Sequence, residues 1–126
     1  MKIQQKKIPN SNIIILSFGH KIEKDMLVGT IELDIENQHQ FVDYINTTLD
    51  NGGTHIILLM DNITYIDSSG LWALFESQKK TENRNGKMIL LKPKKDVKRV
   101  LDITKISSKI KIFEKEKSAI QYFKTS

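Results

Sequence analysis

The strongest constraint on the fold is residues 56–60, an unbroken apolar run that reads Ile-Ile-Leu-Leu-Met. A strand that is apolar on both faces has to be covered from both sides, which is typical of a central parallel strand in a layered α/β protein. The segments on either side, residues 35–50 and 69–83, show helical spacing of their apolar residues. The sequence therefore predicts a sheet with helices packed on its faces.

The first 33 residues are predicted to contribute strands. Residues 12–18 and 25–33 are rich in β-branched and apolar side chains, and the stretch between them, 19–24, is polar and typical of a turn. We therefore expect residues 12–18 and 25–33 to form a hairpin. Residues 2–8 are predicted to add a further strand at the edge of the sheet.

After the central strand, the chain is predicted to alternate between helices and strands. This order favours an α/β fold with a mixed, mostly parallel sheet, about four helices and right-handed crossovers. A length of 126 residues is typical of one domain, here residues 1–126. The predicted elements after residue 60 are a helix at 69–83, a strand at 87–91, a helix whose first turn contains Pro93, a strand at 110–113 and a helix at 114–124.

A short polar segment, Asp67-Ser68-Ser69-Gly70, lies where a strand is followed by a helix. The N-terminus of a helix has free backbone N–H groups and the positive end of the helix dipole, so it favours negative charge. The segment could serve as a cap, an anion site or a phosphorylation site. Capping, worth about 1 kcal/mol, is the simplest interpretation of these residues alone. We expect the segment at the carboxyl edge of the central strand, where sites of α/β sheets gather.

Composition argues against several classes of function. Cysteine is absent, which excludes disulfides, thiol catalysis and thiolate metal sites. His20, His39 and His55 show no metal-ligand spacing, and neither a phosphate-binding glycine loop nor a G-x-S-x-G motif occurs. We therefore predict no catalytic residue, no metal and no cofactor. With no run of about 18 apolar residues and no apolar signal core, a cytoplasmic protein is the default expectation.

The chain carries a net charge of +5, and part of the excess lies at residues 92–99, where four lysines and Arg99 surround Asp96. Such a segment can be the solvated face of a helix, which is the more ordinary interpretation. It can also bind nucleic acid, anionic lipid or an acidic partner. The sequence leaves both alternatives open.

Three segments resemble the STAS domain, the sulfate transporter and anti-sigma factor antagonist family. The family's Asp-Ser-Ser/Thr-Gly-Leu segment is similar to residues 67–71, and its Gly-Glu-Leu-Asp segment to residues 31–34, Ile-Glu-Leu-Asp. Residues 97–104 are similar to the family's helix before the last strand. The three matches occur in the family's order and span roughly residues 12–124. The resemblance is closest to bacterial anti-sigma factor antagonists, or anti-anti-sigma factors, and implies a STAS-like fold.

The resemblance implies a binding protein that is controlled by phosphorylation. Its partner would be an anti-sigma factor that is also a serine kinase. The unphosphorylated form would bind this partner and free a sigma factor, phosphate on Ser68 would block binding, and a serine phosphatase would reset the switch. Direct binding of nucleic acid is not expected. The protein is expected to be a monomer or a weak dimer.

The family also implies which residues form the site. Ser68 is the phosphoacceptor and Ser69 the residue that enters the helix. Asp34, Asp67 and Gly70 would shape the phosphorylation site and the partner surface.

Trp72 is the least usual residue near this segment. It lies one position off the helical stripe expected from Leu71, Leu74, Phe75 and Gln78, so it could be partly exposed as a binding anchor or buried against a neighbouring helix. Trp72 stands where the family usually has a small residue, and Ile31 where it has glycine. These two differences motivate an alternative function, a STAS scaffold or subunit of a lipid-transport or stress-signalling complex without phosphorylation.

Overall fold

A computed structural model describes residues 1–125. It contains nine strands and four α-helices, with a single 3₁₀ turn at Ile106–Ser108. The strands are β1 (Lys2–Lys7), β2 (Ile13–Gly19), β3 (Lys21–Glu23), β4 (Met26–Val28), β5 (Ile31–Leu33), β6 (His55–Leu59), β7 (Ile63–Ile66), β8 (Lys87–Leu91) and β9 (Ile112–Phe113). The helices are α1 (Gln38–Asp50), α2 (Ser68–Asn83), α3 (Lys95–Ile103) and α4 (Glu116–Thr125).

The main sheet has five strands in the order β1-β2-β6-β8-β9. β1 is an antiparallel edge strand on β2, and every other neighbouring pair is parallel. The predicted α/β class, the mixed and mostly parallel sheet, the four helices and the edge strand near the start of the chain are all confirmed. β6 lies in the middle, as its apolar run indicated.

Helices cover both faces of this sheet because alternate residues of the central strands point to opposite sides. Ile56 and Leu58 pack in the larger core, beneath α1, α2 and α3. Ile57, between them, packs in a second core against Ala119 and Phe123 of α4. The central strand is thus buried from both sides, which explains its lack of polar residues.

The predicted hairpin of residues 12–18 with 25–33 is wrong. Lys24 and Asp25 both have positive φ, 50° and 64°, and form a two-residue turn that pairs β3 with β4. Gly29, with φ 80°, then separates β4 from β5. The antiparallel partner of β2 is therefore β1, and residues 25–33 are divided between two small sheets.

The second small sheet is what positions the candidate site. β5 pairs with β7 in parallel, with Leu33 opposite Ile66. The segment that starts at Asp67 consequently follows β7 and lies beside the end of β5. We expected this segment a few residues after the central strand; residues 63–66, which lie between them, form a strand of their own that was not predicted.

All four helices differ from the prediction in their bounds or faces, and α4 begins at Glu116 rather than at residue 114. α1 begins at Gln38 rather than at Ile35, since residues 35–37 form turns, and Pro93 precedes α3 instead of lying in its first turn. α2 buries mostly small residues rather than the expected stripe, and Phe75 of that stripe is exposed. Its buried residues are Gly70, Ala73, Leu74, Ser77 and Thr81.

Candidate functional site

Asp67 caps the N-terminus of α2. Its backbone is extended, at φ −109°, and its carboxylate Oδ1 accepts a hydrogen bond of 3.1 Å from the amide of Gly70. Its carbonyl oxygen accepts the first helical bond, 2.9 Å from the amide of Leu71. This is the usual geometry of a capping aspartate. Ser68 is therefore the first helical residue, one position earlier than predicted.

The two serines differ in exposure. The side chain of Ser68 is exposed, whereas Ser69 is half-buried. Both lie in the first turn, whose amides have no carbonyl partner one turn earlier within the helix. The Asp67 carboxylate satisfies the amide of Gly70 and leaves the positive end of the helix next to the Ser68 hydroxyl. Of the two hydroxyls, that of Ser68 is the more accessible to another protein.

Asp34 lies at the end of the strand next to β7. The amide of Asp67 donates a bond of 3.4 Å to the carbonyl oxygen of Leu33, so the residues that follow the two strands are neighbours. The Asp34 carboxylate accepts from the amide of Glu36 at 3.0 Å, which closes the turn before α1. In this structure Asp34 therefore shapes the loop beside the N-terminus of α2.

Asn37 supports the same turn, a role that was not predicted from the sequence. Its side-chain oxygen accepts from the amide of Asp34 at 2.9 Å, and its side-chain nitrogen donates to the carbonyl of Glu32 at 2.7 Å. A polar Asp-x-x-Asn spacing just before a helix was the signal that could have revealed it. The loop is thus held by the Asn37 side chain, which bonds to the backbone of Asp34 and Glu32, and by the Asp34 carboxylate, which bonds to Glu36.

Trp72 lies one helical turn after Ser68. Residues four apart are neighbours on a helix surface, so Ser68 and Trp72 lie on the same side of α2. The ring contacts His39 of α1 edge-on, with ring centroids 5.7 Å apart, and 41% of the residue remains exposed. Ile35, next to Asp34 in the chain, is 69% exposed. Ser68 is therefore accompanied by exposed apolar side chains from α2 and from the turn before α1.

Within residues 1–125, no group of three or more acidic or histidine side chains converges as a metal site would require. The same part of the chain has no helix with the length and apolar character needed to span a membrane.

Comparison with known protein families places this site in context. Residues 26–119 match the STAS domain. The chain belongs to the STAS domain family. The match includes β5, β7 and the start of α2, which together form the candidate site.

The chain has relatives in Thermotoga. Over 107 residues it is 31% identical to the "Putative anti-sigma factor antagonist TM1081 homolog" of Thermotoga neapolitana, an alignment that covers 82% of this chain and 95% of the relative. A crystal structure of the Thermotoga maritima protein TM1081 is similar, with a TM-score of 0.77 and 24% identity over 95% of this chain and 92% of the other.

The anti-sigma factor antagonist SpoIIAA of Bacillus has the same fold. Its unphosphorylated form matches with a TM-score of 0.74 and 21% identity, covering 99% of this chain and 98% of SpoIIAA. Its phosphorylated form matches with a TM-score of 0.65 and 20% identity, over 97% and 99% of the two chains. At these identities the likeness establishes the fold of this chain.

Proposed function

We propose that this STAS domain is an anti-sigma factor antagonist whose binding is switched by phosphorylation of Ser68. The observation that carries the proposal is the exposed Ser68 hydroxyl, placed on the first residue of α2 and one turn from the exposed Trp72. In the unphosphorylated state the domain binds an anti-sigma factor that is also a serine kinase, and a sigma factor is released. The domain is the substrate of that kinase and contributes no catalytic group.

The first turn of α2 is suited to accept a phosphate without refolding. Phosphorylation adds about −1.5 to −2 charges, and free amides and the helix dipole favour negative charge at this position. Asp67 caps the helix through the Gly70 amide and does not depend on the Ser68 side chain. Support also comes from SpoIIAA, which has this fold in both its unphosphorylated and phosphorylated forms.

The same phosphate would prevent association with the partner. Trp72 and Ile35 offer apolar contact area, and such residues act as anchors when they are desolvated in an interface. A doubly charged group beside Trp72 would have to lose its water on binding, which is costly without a pairing cation. Asp34, Asp67 and Gly70 hold the surface in shape, and a serine phosphatase restores it by removing the phosphate.

The test uses the purified chain, ATP and a candidate serine kinase of the anti-sigma factor class from the same genome. We expect one phosphate, mapped to Ser68 by mass spectrometry, and loss of kinase binding after modification. Ser68→Ala should remove the phosphate and keep binding, whereas the neighbouring variant Ser69→Ala, the matched control, should still be phosphorylated.

Absence of phosphate from both Ser68 and Ser69 would contradict the proposal. If the chain were then recovered from cells with transporter subunits and without a sigma-regulatory partner, the scaffold function would replace it.

A further inference from the structure

The positive charge of the chain is concentrated in one segment, residues 92–111. This segment contains eight Lys or Arg and two Asp, a net charge of +6. The other 106 residues contain twelve Lys or Arg and thirteen Asp or Glu, a net charge of −1. The eight cations, here called the basic face, are Lys92, Lys94, Lys95, Lys98, Arg99, Lys105, Lys109 and Lys111.

The fold leaves this charge free for a partner. Every side chain of the basic face is exposed, while α3 turns Val97 and Leu101 into the core. Both aspartates form salt bridges within α3: Asp102 lies 3.6 Å from Lys98, and Asp96 lies 3.9 Å from Arg99. The remaining six lysines form no salt bridge with any residue in the range 1–125.

Exposed apolar residues link the basic face to the Ser68 surface. Ile103, at the end of α3, is 73% exposed. Tyr65 of β7 is 52% exposed and lines a cleft of about 90 Å³ together with Asp96 and Val100 of α3. Tyr65 precedes Ser68 by three residues, so the two Cα atoms are at most about 10 Å apart at the rise of a β-strand. A partner docked on Ser68 therefore reaches α3 through Tyr65.

We propose that the basic face is a second part of the partner interface and binds an acidic protein surface. The inference rests on the proposed function, because the partner is the one that recognises Ser68. A protein surface is favoured over a uniform polyanion because exposed apolar side chains, Ile103 and Tyr65, lie beside the charged groups of α3. A lipid surface is disfavoured because the apolar side of α3 is buried in the core.

The two parts of the interface act on different steps of binding. Complementary charge accelerates encounter and depends strongly on salt, whereas desolvated apolar contacts determine how long a complex lasts. The basic face should therefore govern the association rate. The surface at Ser68 and Trp72 should govern dissociation and the response to phosphorylation.

The experiment measures association of a candidate serine kinase from the same genome with four forms of the full chain, the wild type and three variants. The basic-face variant is Lys94→Glu/Lys95→Glu/Lys105→Glu, and a glutamine series at the same positions serves as a milder second variant. The matched control, Lys2→Glu/Lys7→Glu/Lys117→Glu, makes the same change of charge at exposed positions on β1 and α4. Circular dichroism and thermal melting verify that all forms fold alike.

At about 50 mM salt we expect the basic-face variant to associate at least roughly tenfold more slowly than wild type, and the control to change by less than about threefold. The wild-type rate should fall as salt increases, with a weaker slope in the variant. Equal effects of the two triple variants would overturn the inference while leaving the phosphorylation switch intact. A kinase that neither binds nor phosphorylates the chain would remove the proposed function and the inference together.

Two further arms separate acidic protein from other polyanions. A 20-base-pair DNA duplex and phosphatidylserine vesicles are titrated with wild type at about 0.15 M salt, where exposed charges are screened beyond about 8 Å. We expect no saturable binding in either arm. Binding that the basic-face variant loses would assign the surface to nucleic acid or lipid and overturn the inference.

Discussion

The carbonyl oxygen of Leu33 lies against Gly70 so closely that a Cβ atom on Gly70 would be 2.3 Å from it. The same atom would be 2.6 Å from Cγ1 of Ile66. The first turn of α2 therefore rests directly on the backbone of β5 and on the last residue of β7. This contact sets the position of the Ser68 hydroxyl relative to the Asp34 turn.

Gly70→Ala should destabilise the protein, because the added methyl group meets backbone that cannot move without shifting β5 or α2. Overpacking of this kind costs about 1–3 kcal/mol. Urea denaturation followed by circular dichroism measures the change. Ser69→Ala, at the adjacent half-buried position, is the control and should change stability by less than about 0.5 kcal/mol. An unaltered midpoint for Gly70→Ala would refute the close contact.

Asp67→Ala should lower the free energy of unfolding by about 1 kcal/mol through loss of the cap on the Gly70 amide. Asp67→Asn keeps a side-chain oxygen at the same place and should retain most of that stability. Thermal melts of the two variants separate capping from charge. If the asparagine variant were as unstable as the alanine variant, the carboxylate would have a role beyond its hydrogen bond.

Those parts of the fold that depend on local pattern were predictable. The apolar run of β6 indicated a strand covered on both sides, and Asp67 with Gly70 marked a helix start within one residue. The hairpin was not predictable in this way, because two ordinary residues, Lys24 and Asp25, adopt positive φ and form a turn that usually contains glycine or asparagine. The β5–β7 pair depends on contacts between residues about 30 positions apart.

The buried face of α2 also escaped a pattern based on hydrophobicity. The helix packs closely through Gly70, Ala73 and Ser77, so small size rather than apolar character determines its orientation. Phe75, which the pattern assigned to the core, instead lies exposed with the ammonium groups of Lys79 and Lys109 within 6 Å of its ring centre. Consequently the predicted stripe included residues from two different sides of the helix.

Ser77→Ala should preserve or raise stability, by up to about 1 kcal/mol. The Ser77 hydroxyl is completely buried, and within residues 1–125 it has no hydrogen-bond partner. A buried hydroxyl without a partner has lost its hydrogen bonds to water and forms none within the protein to replace them. Chemical denaturation tests this, with Thr81→Val as the contrasting variant, since the Thr81 hydroxyl donates to the Ser77 carbonyl at 2.8 Å. Loss of more than 1 kcal/mol in Ser77→Ala would reveal a hidden partner.

Trp72→Ala should weaken binding of the partner kinase at least roughly 30-fold, the effect of losing an anchor worth about 2 kcal/mol. Stability should change by less, because a large part of the indole is exposed. Isothermal titration measures affinity and a urea melt measures stability. Phe75→Ala, an exposed aromatic on the same helix that contacts Lys79 and Lys109, is the matched control. Equal losses in both variants would remove Trp72 as a specific anchor.

His55 should make stability fall as pH is lowered from 7.5 to 5.5. Partial burial, followed by the charge of Lys87, lowers the pKa of His55 from its ordinary value of 6.5. Above pH 6.5 the imidazole is neutral in both the folded and the unfolded state. As the pH falls below 6.5, the unfolded chain takes up the proton before the folded chain does. The free energy of unfolding therefore decreases until the pH passes the pKa of the folded state. The ring packs edge-on against Phe123 at 4.8 Å, a contact that the neutral form keeps.

Urea midpoints at pH 7.5, 6.5 and 5.5 measure this dependence on pH for wild type and His55→Gln. The variant should be less stable at pH 7.5, because it loses the Phe123 contact, but should show a flatter dependence on pH. His20→Gln, at an exposed position, is the control for loss of an imidazole and should have wild-type stability at pH 7.5. If His55→Gln kept the full wild-type slope between pH 7.5 and 5.5, the proton uptake on unfolding would belong to other groups, and the lowered pKa of His55 would not contribute to stability.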